Sequence, residues 1–141
     1  MTFLGTPLHA ALVHFPIAFF LGAWFFYLLG LCLKRQGMHQ LAVAVYTLGA
    51  ASCLLTAPTG LLEQFRLHLH HPLVTAHRTV GLLLTIISSL TVVLIRLLQS
   101  RHPSKAQGIF ALSCSACAGL SLWAGYLGGE MVYHYAIGVN P

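Results

Sequence analysis

Nine histidines stand beside only two carboxylates in this chain of 141 residues. Neutral imidazole is the commonest protein metal ligand. His9 and His14 lie five residues apart in HAALVHFP, and His68, His70 and His71 crowd into RLHLHH. His77 follows soon after, and His134 lies near the other end of the sequence. Such a set points to ligation rather than bond cleavage. There is no Ser–His–Asp set, no nucleotide-binding glycine loop and no H-E-x-x-H motif. Acid–base chemistry has few candidates beyond His and Glu130, so an electron-transfer component is expected rather than an autonomous enzyme.

The elements that must position these imidazoles follow from composition. Hydrophobic residues make up 57% of the chain and charged ones 6%, against about 25% charged in a soluble domain. Mean hydropathy is +0.82. A soluble globular domain, a disordered chain and a nucleic-acid binder are all excluded, despite a pI near 9.3. Four apolar segments, about 8–33, 41–62, 78–98 and 109–135, each meet or approach the ~20 residues a helix needs to cross a ~30 Å hydrocarbon core. Short connectors force antiparallel neighbours, which predicts one all-α domain, an up-down four-helix membrane bundle. Cys32, Cys53, Cys114 and Cys117 lie inside apolar runs, so no disulfide framework is expected. Cys114-Ser-Ala-Cys117 is followed by Ala118, where covalent haem attachment demands His. No cleavable signal peptide is expected, the first apolar stretch being too long for a signal core.

Basic residues orient the bundle. Lys34, Arg35, Arg96, Arg101 and Lys105 flank the first and third connectors, whereas only Arg66 and Arg78 lie on the other side. The positive-inside rule then faces both termini and the middle connector outward. On that topology seven of the nine histidines and both carboxylates share the outer side, leaving His39 and His102 in inner loops.

Depth selects among the seven. With Thr6 and Pro7 as helix cap and first residue, His9 falls in the first turn and His14 about 7–8 Å deeper. An ionisable group at that depth is a functional candidate by default. His77 is expected in the first turn of the third helix, capped by Thr75. Helices one and three are diagonal partners in such a bundle, so His14 and His77 form the expected axial pair for a b-type haem, with His9 and His134 in reserve. Ala18 and Gly81, one turn beyond the two ligands, leave room for a macrocycle. So do Gly125, Gly128 and Gly129. Phe15, Phe19, Trp24, Trp123 and Tyr126 could line its edges, and Arg66 and Arg78 could hold its propionates. Plainer alternatives stay open. A buried His can simply bond a neighbouring backbone group, RLHLHH can be a solvated loop, and small-residue strips usually serve helix packing. Thr56-Ala57-Pro58-Thr59-Gly60 reads as a kink near the end of the second helix.

His9-Ala10-Ala11-Leu12-Val13-His14-Phe15-Pro16 resembles the H-P-x-x-V-H-F-P opening of a bacterial family of small four-helix membrane proteins, a domain of unknown function. The close, from Gly128-Gly129-Glu130 to Gly138-Val139, resembles that family's G-G-x-L-V-Y-x-H-G-V-G-V, and Thr59-Gly60 and His77 fit between. The resemblance spans almost the whole chain and carries over His9, His14 and His77. Ala10 replaces the family proline. The closing family histidine falls on Tyr135, one residue and about 100° of helix away from His134. Relatives fused to Rieske or c-type cytochrome domains imply membrane electron transfer. The resemblance thus implies a multi-pass protein of the bacterial inner membrane, carrying one haem b or two. Its partner would be a periplasmic cytochrome, a Rieske-type protein or a quinone, while its 15.3 kDa mass and glycine strips suggest a homo-oligomer or a subunit of a larger complex. Two rival expectations are an outward histidine cluster for copper or zinc and a structural subunit without a cofactor.

Overall fold

The computed structural model describes residues 2–3 and 6–138, with side chains from Leu8 to Gly138. A two-residue antiparallel ladder, β1 (Thr2–Phe3) on β2 (Thr6–Pro7), precedes the helices. They are α1 (Leu8–Leu12), α2 (His14–Leu33), α3 (Gln36–Arg66), α4 (Pro72–Leu98) and α5 (Pro103–Tyr133). Four spans, with α1 and α2 counted as one, are long and apolar enough to cross a membrane. α2 packs on α3 and α5, and α4 packs on α3 and α5, so α2 and α4 face each other across the diagonal. The expected all-α four-helix membrane bundle is the architecture found.

Helix ends depart from the expected bounds, mostly outward. α3 begins at Gln36 rather than near 41 and runs through Gly60 to Arg66. α4 begins at Pro72 and α5 at Pro103, each with proline in its first turn, where a missing N–H costs nothing. α5 stops at Tyr133, short of 135. The apolar run measures the hydrocarbon core, and the helical ladder continues into the headgroup layer. With 31 residues, α3 is ~46 Å long at ~1.5 Å per residue, well beyond the ~30 Å of hydrocarbon.

Three local expectations change with these bounds. His71, not Thr75, caps α4, its Nδ1 accepting the Leu73 N–H at 3.2 Å. His39 is inside α3 rather than in a loop, packed edge-on against Phe110 with ring centres 5.3 Å apart. Thr6–Pro7 is extended, so Pro7 does not open α1, and the cap expected of the Thr6 side chain lies outside the described side chains. The hydrogen-bond ladder of the first span is also interrupted at Val13, whose own backbone stays helical. Pro16 explains the position: it has no N–H to offer the carbonyl four residues back, Leu12, and its ring crowds that oxygen.

The bundle is held by small residues and one buried polar knot. Phe20 lies flat on Gly49, where a Cβ would come 2.9 Å from the ring. Small residues at helix interfaces permit such close packing in lipid. At mid-depth the fully buried Tyr46 hydroxyl bonds Ser113 Oγ at 2.6 Å and Cys117 Sγ at 3.3 Å, with Thr91 Oγ1 2.7 Å from Ser113. Leu54, Leu55, Leu97 and Leu112 are exposed instead, as lipid-facing residues should be.

Candidate functional site

At the end of the bundle carrying both termini, a cavity of about 530 Å³ opens between all four spans. Ligand pockets of ~300–1,000 Å³ are typical. Its wall is largely apolar, with His9, His14 and His77 as its imidazoles and Glu63, Gln64 and Arg78 among its polar groups.

His9 and His77 are half-buried and meet ring to ring, centres 6.0 Å apart and planes at 88°. Each ring is fixed by its Nδ1. That of His9 donates to the Thr56 carbonyl at 3.1 Å, with Thr59 Oγ1 a second acceptor at 3.3 Å. The Thr59 hydroxyl itself donates to the same carbonyl at 2.7 Å. His77 Nδ1 donates to the Ala124 carbonyl at 3.0 Å. Because a carbonyl only accepts, the proton sits on Nδ1 in both rings, and a neutral imidazole then carries its bare lone pair on Nε2. Metal-binding histidines show the same pattern, with the far ring nitrogen tied to a carbonyl or carboxylate.

Gly60 and Gly128 admit the two rings. A Cβ at Gly60 would lie 2.6 Å from His9 Cε1 and 2.9 Å from its Nδ1, while one at Gly128 would meet His77 at an ordinary 3.6 Å. Gly81 borders open space, with nothing within 4 Å of where its Cβ would stand.

His77 therefore faces His9 rather than His14. Five residues turn a helical side chain ~500°, leaving it ~140° off. His14 opens α2 as an exposed residue at the cavity edge. His134 is set apart: it follows α5, is 72% exposed and pairs with Glu130 at 3.1 Å. Arg78 borders the cavity and reaches Gln64 Oε1 at 3.5 Å, whereas Arg66 ends α3 outside it. Gly125, Gly128 and Gly129 line the cavity as expected; Ala18 does not. Nor do the expected edge aromatics, since Phe15, Trp24, Trp123 and Tyr126 are exposed on the bundle surface.

The second sphere went unforeseen. Thr56, Thr59 and Gly60, which read as a kink motif, form the seat of His9, and the Ala124 carbonyl carries no side-chain signal at all. Among the described residues no three or more His, Cys, Asp or Glu side chains converge as a metal-binding group. RLHLHH thus assembles no three-ligand copper or zinc site there. A two-histidine site lies below that count.

Fold and cavity define a small four-span membrane protein whose paired imidazoles face a pocket between its helices. The family model "Predicted membrane protein (DUF2231)" matches residues 5–141, and the chain belongs to that family. Neither the curated proteins nor the solved structures contain a match to it.

Proposed function

We propose that this protein is a membrane electron-transfer component whose histidine cavity would hold a b-type haem, with His9 and His77 as the residues that bind it. The observation that carries this reading is the facing pair of imidazoles, each pinned through Nδ1 to a carbonyl with Nε2 left free. The two rings meet edge to face with centres 6.0 Å apart, and neutral imidazole is the commonest protein metal ligand. When bound, haem supplies reversible one-electron transfer, at a potential tuned by burial and by hydrogen bonds to its ligands.

The chain's own residues would do the rest. The carbonyls of Thr56 and Ala124 hold the rings in one tautomer and raise the basicity of Nε2. Gly60 lets one ring lie against α3, and Gly81, Gly125 and Gly128 keep bulk out of the cavity. Arg78 is the cation at the rim suited to carboxylate groups. The positive-inside rule supports placing this end on the outer face of a bacterial inner membrane, within reach of a periplasmic cytochrome, a Rieske-type protein or a quinone.

The test is an absorption spectrum of the detergent-purified protein. A Soret band that shifts on reduction, with iron and not copper or zinc in the metal analysis, is the expected result. A preparation that stays colourless after haemin is added would overturn the reading. Gly60→Ala gives a second check. It should weaken haem affinity about 10–100-fold by displacing His9 from its carbonyl, whereas Gly128→Ala should change it little, as a haemin titration would measure.

A further inference from the structure

The opposite, Lys/Arg-rich end of the bundle holds a second cavity, of about 420 Å³, between α3 and the α4–α5 turn. Its rim carries Arg96 with four glutamines, Gln40, Gln99 and Gln107 among them, and its floor combines Val43 and Ala44 with the buried Ile95 and Phe110. We propose that this cavity binds an anionic phospholipid, its phosphate at Arg96 and its acyl chain toward the apolar floor.

Charge makes the first part of the case. Lys34, Arg35, Arg96, Arg101 and Lys105 gather at this end, while both carboxylates of the chain, Glu63 and Glu130, belong to the other. Among the described residues Arg96 therefore has no acid to pair with, although it stands within the apolar α4 span three residues before its end is capped at Gln99. A guanidinium is the side chain best shaped for two-point contact with a phosphate. The four amides add neutral donors and acceptors suited to phosphate and glycerol oxygens.

The shape of the cavity makes the second part. Half-buried Val43 and exposed Ala44 give the floor its apolar surface beside the buried Ile95 and Phe110, and the His39 ring braces Phe110 from the side. A soluble anion would have no use for that floor, whereas a lipid fills rim and floor together. Basic pockets between helices at the cytoplasmic side are the usual seats of anionic headgroups. This site is separate from the histidine cavity, so either assignment can fail without the other.

The experiment uses the delipidated full chain and native mass spectrometry, with phosphatidylglycerol and phosphatidylcholine of identical acyl chains. Phosphatidylglycerol should be retained about five-fold better, the factor expected from one well-placed basic residue at a membrane surface. Arg96→Gln should erase the preference, and Arg96→Lys, which keeps the charge, should retain part of it. Arg101→Gln, in the connector outside the cavity, should leave it intact. Equal retention of the two lipids overturns the proposal, as does a preference that survives Arg96→Gln or disappears equally in Arg101→Gln. Millimolar glycerol 3-phosphate should fail to displace the lipid; displacement would make the occupant a soluble anion and overturn the assignment.

Discussion

If the cavity holds the proposed haem, replacing His77 with alanine should abolish the Soret band, with a loss of haem affinity beyond the ~10–100-fold that follows from disturbing a ligand's hydrogen-bond partner. Without His77 the cavity keeps His9 and the peripheral His14 in a largely apolar wall. His9→Ala should do the same, because His9 is the ring that faces His77 at 6.0 Å. His14→Ala should keep the band, since His14 stands exposed at the cavity edge. The reverse outcome, with His14 essential and His9 dispensable, would restore the pair expected from spacing alone. His134→Ala should be silent in this assay, its ring being occupied with Glu130 away from the cavity. Haemin titration of the four variants, read with the reduced-minus-oxidised spectrum, checks each statement.

The largest effect on stability is expected at Tyr46. Its ring is fully buried between Phe20 and Phe110, with centres at 5.2 and 5.5 Å. Tyr46→Ala should destabilise the bundle by about 3 kcal/mol, at the lower end of the range for large aromatic truncations. The lower end applies because lipid is as apolar as the core, so packing is lost without a matching gain from water exclusion. Tyr46→Phe keeps the ring and loses only the hydroxyl's bonds to Ser113 and Cys117. It should cost ~0.6 kcal/mol, the average for side-chain hydrogen bonds between membrane helices, because Thr91 remains beside Ser113. Unfolding in graded SDS, followed by circular dichroism, separates the two variants.

The four spans were legible because a membrane imposes a length, and every span meets it. The outer ends were not, since polar residues such as Gln36 to Gln40 look like connector yet continue the helix. Four antiparallel spans bring His9, His14 and His77 to one end of the bundle, where all three line the cavity. Which histidine faces which was hidden, because it depends on helix rotation. Inside and outside were hidden for a different reason. Apolar residues surround α2, and in lipid an exposed Phe15 or Trp24 is as well solvated as a buried one. No periodic pattern therefore tells core from lipid face. The seat of His9 was in plain view as Thr56–Gly60, but its role follows from contacts across 47 to 50 positions of sequence.

The break at Val13 reassigns the allegiance of the five residues before it. α1 is continuous in covalent terms with α2, yet it leans mainly on α3, and its His9 is bolted to Thr56 and seated over Gly60. Mechanically the segment is an outrigger of α3. A small tilt of α3 about Pro58, near this seat, would carry His9 along with it, while His77, tied to Ala124, would stay with α5. The separation of the two rings is therefore a gauge of how α3 and α5 stand relative to each other at this end of the bundle.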